Sequence, residues 1–247
     1  MLYVTVELMQ KGFVFMRYIL VVILIAAVVV FVLFKNHKGT QPVITANFID
    51  LEKVEKISKF RSCQGHIVVP QDESETRRNM KHYVVLKPEF FGGGKAEIYS
   101  PIDGVIKSIG ERPEKGLEGE IWLGNANNDW DISIQHLFIL PNLTEGQKVK
   151  AGQKVGMAAD KGIDVVYGIG AKEVKMIEGY QSPYSALDSI FNHASAAVLT
   201  EYEAKGVLLA DLMYSKEFRD QNPCMLEGNG SQLNDHDHPE DWAMLHE

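Results

Sequence analysis

The chain lacks most of the motifs that name a chemistry outright. It contains no Gly-x-Ser-x-Gly, no Walker-type glycine loop and no His-Glu-x-x-His, which excludes the nucleophile elbow, the P-loop and the helical zinc-protease motif. Basic charge is in deficit. The 25 Lys and Arg face 33 Asp and Glu, for a net charge of −8, and they form no cluster, which argues against nucleic acid and anionic lipid surfaces as partners. No heptad stretch exists for a coiled-coil hairpin. Cysteine is limited to Cys63 and Cys224.

Long apolar runs are confined to one place. From Tyr18 to Phe34 the sequence YILVVILIAAVVVFVLF has no polar residue after its leading tyrosine. That is the short end of a bilayer span, and Phe13 to Met16 can lengthen it. A cleaved signal peptide is the rival reading, but its apolar region is shorter and a small-residue cleavage site follows it. Here KNHKGT follows, so the expectation is an uncleaved single-pass anchor over 18–34 behind an N-terminal segment 1–17, with Met16 an alternative start. Lys11 and Arg17 on one side balance Lys35 and Lys38 on the other, so charge does not orient it. Beside an export-type segment, two cysteines permit one disulfide closing a long loop, and with it an extracytoplasmic domain; two unrelated thiols are the alternative.

After the anchor, residues 35–81 read as a stalk, a helix and a loop. Phe48, Leu51, Val54 and Ile57 recur every three residues, which predicts a helical stripe. The charged, non-periodic QDESETRRNMK at 71–81 predicts a loop. From His82 the texture turns to strands. HYVVLK, AEIYSPIDGVIKSIG and GEIWLG are rich in β-formers around turn signals. In WDISIQHLFIL, Trp130, Ile132, Ile134, His136 and Phe138 fall on one face by strict alternation. LTEGQKVKAGQKVG then writes Gly-Gln-Lys-Val twice, six residues apart, as two tight turns between very short strands would. Seven to nine such strands over 82–178 predict a mainly β sandwich or barrel. Residues 179–226 predict a short helical cap, with Ser182-Pro183 opening a helix and Gly206 closing one. The acidic tail 227–247 predicts little structure, although Trp242 and Leu245 are able to dock.

The order IYSPIDGVIKSIG, then ISIQHLFI, then the doubled Gly-Gln phrase resembles the duplicated-hybrid (barrel-sandwich hybrid) domain of the M23 zinc endopeptidases, over roughly residues 82–170. Biotinyl and lipoyl carriers and membrane-fusion adaptors share similar turns. The adaptors place them about ten residues apart rather than about forty, and no carrier-type lysine turn is present. The resemblance implies a zinc held by His-x-x-x-Asp and by the second His of a late His-x-His. Three N/O ligands would leave an open position for an activated water, with a neighbouring imidazole assisting.

Matched residue by residue, His136 takes the place of the assisting histidine. His82 falls near the first ligand, but Leu86 stands where its aspartate should be. Asp164 falls where the His-x-His should be, and His66 is a further candidate with the wrong spacing. The expectation is therefore a degenerate domain with no bound cofactor, membrane-anchored and extracytoplasmic, binding cell-wall glycan or peptide or an envelope protein. The alternatives are a zinc metalloendopeptidase using His66 or His82 with His136 and Asp164, and an envelope adaptor or scaffold. Uncharacterised bacterial M23-like proteins with paired cysteines resemble this chain in CQGH, MKHY, EYEAKGV and RDQNPC, and that likeness implies a Cys63–Cys224 bond. The Phe90-Phe91-Gly-Gly-Gly run predicts a loop at the domain mouth, its aromatics either stacking on sugar or anchoring the loop.

Overall fold

In the computed structural model, which describes residues 43–110, 118–125, 128–228, 230–234 and 238–246, the doubled phrase builds two matching turns. Gly146 and Gly152 have φ of +78° and +77°, a backbone that glycine adopts without steric cost. The Gln147 side chain accepts from Thr144 N at 3.0 Å, and the Gln153 side chain accepts from Lys150 N at the same distance. Gly146 N donates to Ile106 O, and Gly152 N to Ser100 O. Each glycine makes the turn, each glutamine closes it, and each Lys-Val pair enters a short strand.

The strands are β1 (Val54–Ser58), β2 (His82–Leu86), β3 (Glu97–Tyr99), β4 (Gly104–Ile109), β5 (Gly119–Gly124), β6 (Trp130–Ile139), β7 (Lys148–Val149), β8 (Lys154–Ala158), β9 (Gly162–Ile177), β10 (Tyr180–Asp188) and β11 (Trp242–Met244). All pair antiparallel, in the order β11-β1-β2-β9-β6-β5-β4-β7, with β10 on β9, and β8 bridging β3 and β6. The protein is mainly antiparallel β. One face of β2, β9, β6 and β5 is apolar, with Val84, Val165, Ile132, Ile134, Ile121 and Leu123 all buried. Two short helices follow, α1 (Ala196–Ala204) and α2 (Lys216–Gln221). Gly206, at φ +79°, ends the turn after α1.

Three sequence expectations are corrected. The stripe Phe48, Leu51, Val54, Ile57 is not a helix: Leu51–Lys53 is one 3-10 turn and Val54 begins β1. A register shift between Val54 and Lys56 against β2 inserts one residue, so positions three apart both face inward. Burying Val54 and Ile57 is worth roughly 1.5–3 kcal/mol each, more than the fraction of a kcal/mol by which helix propensities differ. Ser182-Pro183 opens no helix. It lies in β10 at an irregularity between Ser182 and Tyr184, where proline's missing N–H costs no ladder bond. The tail also contributes to the sheet. β11 pairs with β1, Ala243 and Leu245 are buried, and Lys56 Nζ lies 4.4 Å from the centre of the Trp242 ring.

Cys63 and Cys224, 161 positions apart in the sequence, are joined. The fully buried Asp241 receives the Arg219 guanidinium at 2.9 Å and the Cys63 backbone N–H. Residues 18–34, the expected membrane span, lie outside the described residues. Among the described residues no helix is long and apolar enough to cross a membrane.

Candidate functional site

Side chains alternate across a strand, and in β2 this separates the chemistry. Tyr83 pairs with Asp164 of β9, and Gln135 of β6 pairs with Asp164 from the other side. These three share the outer face, away from the main core. His82 pairs with Val165 and Val165 with Ile134, so His82 points inward.

His136 reaches the outer face by a different route. Gly119 pairs with Leu137 and Glu120 with Gln135, which leaves His136 as an extra residue with φ +63°. This β-bulge sends Leu137 into the core and turns His136 out beside Gln135. Strict alternation had placed His136 inward with Ile134; the left-handed residue corrects that.

On the outer face four charged groups meet. His136 Nε2 lies 3.4 Å from Asp164 Oδ2, and its Nδ1 contacts the Glu118 carboxylate. Lys81 Nζ donates to the same Asp164 Oδ2 at 2.5 Å and lies 4.7 Å from the centre of the Tyr83 ring. Lys81 stands two residues before Tyr83 and so faces the same way. Its backbone is gripped by the fully buried Asn79, whose Oδ1 accepts from Lys81 N at 3.1 Å and whose Nδ2 donates to Lys81 O at 2.9 Å. The bond to Asp164 raises the His136 imidazole to about 9 against the opposing effect of burial, and Glu118 adds to the rise. Burial alone would raise the Asp164 carboxyl, but His136 and Lys81 outweigh it and hold the group below the usual carboxylate range.

His66 borders this group, its ring 4.7 Å from that of Tyr180 and its Nδ1 3.4 Å from Tyr83 Oη. Burial first, and then the Lys81 ammonium, push its imidazole down to about 4. The approach is close at Gly65, φ +69°, where a Cβ would fall 2.1 Å from the Tyr83 hydroxyl. Farther along the face, Glu120 accepts from Ser133 and Gln135, and Trp122 lies against Tyr184. The Phe90-Phe91 loop is anchored: both rings pack on the main core, and Gly94 N donates to Ala158 O.

His82 does not join this site. Its Nδ1 meets Ser58 O at 2.8 Å and its Nε2 meets Ser189 Oγ at 2.9 Å. A carbonyl only accepts, so Nδ1 carries the proton and Nε2 accepts from the serine. Burial pushes this imidazole down to about 4. The structure thus brings His136, Asp164 and His66 to one face and takes His82 to the other. Sequence reasoning missed Lys81 and Glu118. The signal available for Lys81 was its two-residue offset from Tyr83 at a strand entrance.

The residues do not fit zinc. A zinc held for catalysis takes three protein donors. His136 Nε2 and Asp164 Oδ2 supply two, and Lys81 already bonds the second. Among the described residues, one trio of His, Cys, Asp or Glu donor atoms lies within 4.8 Å of one another, Cys63, His238 and Asp241. There the sulfur is committed to the disulfide and the carboxylate to Arg219.

No protein-family model and no curated protein matches the sequence. Solved structures do match. Lysostaphin aligns at 16% identity and a TM-score of 0.29, over 47% of this chain and 50% of its own. The SpoIIQ–SpoIIIAH pore-forming complex aligns at 15% and 0.34, over 53% of this chain and 85% of the matched one. A LytM of Ruminococcus gnavus, named as a candidate glycyl-glycine endopeptidase, aligns at 15% and 0.29, over 54% and 58%. The mainly antiparallel β architecture that the sequence predicts is the one observed, and the M23 resemblance rests on the sequence motifs. The aligned part takes up only half of lysostaphin, and matches at this level carry no argument about the site.

Proposed function

We propose that this chain is a non-hydrolytic M23-like module, anchored by residues 18–34 with its domain outside the membrane, which binds cell-wall glycan or peptide along the outer face of β2, β9, β6 and β5. One observation carries the reading. The buried carboxylate that faces His136 Nε2, that of Asp164, is bonded to the Lys81 ammonium, so the pair that could begin a metal site is already a closed ion pair. The same face presents half-buried Tyr83, Tyr180 and Trp122 beside Gln135 and Glu120, a mixture of stacking and hydrogen-bonding groups suited to an uncharged or weakly charged chain.

The test is co-sedimentation of the detergent-solubilised full-length protein with purified cell-wall sacculi, with and without EDTA, while released peptide is measured. We expect binding that EDTA leaves unchanged and no release of peptide. EDTA-sensitive cleavage would establish the metalloendopeptidase instead. Failure to sediment, together with capture of a defined envelope protein, would establish the adaptor.

A further inference from the structure

Lys81 is buried as few lysines are, with 4% of its side chain exposed, and its partner Asp164 has 8%. Moving an ammonium out of water is costly unless it is paired, so its placement needs a cause. The ammonium donates to Asp164 Oδ2 at 2.5 Å, with His136 Nε2 3.4 Å from that same oxygen. A zinc ion bonded to Asp164 would sit about 2.0–2.2 Å from a carboxylate oxygen. Ion and ammonium therefore compete for one oxygen, and both are cations. Asn79 fixes the backbone from which the lysine extends, and the Tyr83 ring flanks its head group.

We propose that Lys81 is the resident cation of this site: its ammonium holds the Asp164 oxygen that faces His136, the oxygen a divalent metal would need, and closes the site to metals. The inference deepens the non-hydrolytic reading and rests on it, but its test measures metal rather than cell-wall binding.

Cobalt(II) is the probe, because a protein-bound ion gives visible d–d absorption. Full-length wild-type protein is expected to take up no cobalt. Lys81→His removes the ammonium and supplies a third N/O donor; it is expected to bind one cobalt per chain and to lose that ion when Asp164→Asn is added. Circular dichroism and a melting curve establish that the variant is folded. A folded Lys81→His protein that binds no cobalt would overturn the proposal while leaving sacculus binding by the wild type untouched. Cobalt bound by the wild type and lost in Asp164→Asn would overturn both readings. A second measurement needs no variant. Brief acylation with an amine-reactive ester, read by mass spectrometry, is expected to modify Lys150, 79% exposed, long before Lys81. Equal rates would show that the ammonium is not enclosed, and the proposal would fail.

Discussion

The two faces of β2 and β9 treat histidine in opposite ways. On the inner face His82 has both ring nitrogens bonded to neutral oxygens, sits between Phe60 and Phe191, and is neutral. On the outer face His136 stands on a left-handed bulge between two carboxylates and is charged at neutral pH. One position of strand alternation separates Lys81 and Tyr83 from His82. The comparison teaches that a histidine's chemistry here is set by which face it occupies and by what that face has already paired, not by nearness in sequence to a motif position.

The largest break in that contrast comes from the outer ion pair. Asp164→Asn leaves Lys81 buried without its partner, and removing one member of a buried pair costs about 3–5 kcal/mol. Urea unfolding should show this loss, and the double change Lys81→Met with Asp164→Leu should recover most of it. A loss below 1 kcal/mol would mean that the pair is solvated.

Next is the acid response of the inner face. His82 is held at about 4 against an ordinary 6.5, so the unfolded chain takes up its proton first. Stability from this group is complete above pH 6.5 and is lost as pH falls from 6.5 toward 4, by about 3 kcal/mol. His66, also depressed, adds to the same limb. Melting temperatures across that range should fall steeply in the wild type and less steeply in His82→Gln.

The smallest effect sharpens the contrast. His136→Gly relieves a left-handed residue, worth roughly 1–2 kcal/mol, and loses the ion pairs of a half-exposed imidazole, worth about 0.2–1 kcal/mol. We expect a net change within about 1 kcal/mol, neutral or stabilising. His136 is raised above its unfolded value, so its contribution is full below pH 6.5 and is lost as pH rises through about 9. The variant should lack that alkaline loss. A large destabilisation in the glycine variant would show that the imidazole itself holds the bulge.

Much of this was legible in the sequence, for physical reasons that differ from place to place. The doubled Gly-Gln-Lys-Val declares its turns because glycine at positive φ and a glutamine that closes its own turn are local features. His136 and Asp164 are candidates through the M23 resemblance, matched position by position, and the two cysteines alone permit either one disulfide or two separate thiols. The stripe at 48–57 misled because a β-bulge imitates helical spacing. His136 was assigned to the wrong face because a single left-handed residue is invisible to alternation. Lys81 was overlooked because its partner lies 83 residues away, and its offset from Tyr83 shows which face it shares but not what it meets there. The tail hid its strand because β11 is only three residues long and finds its edge across the whole domain.

That last pairing has a consequence in time. β1 is covered on one side by β2 and on the other by β11, and the disulfide clasps Cys63 to Cys224 across 161 residues. A chain made from its N-terminus therefore carries β1 with one flank of unpaired N–H and C=O groups until residues 242–244 arrive. Such an open edge invites pairing with other chains, and contacts this distant in sequence form late. The sheet can close only after residues 242–244 exist, so through most of its synthesis the chain carries β1 as an open edge.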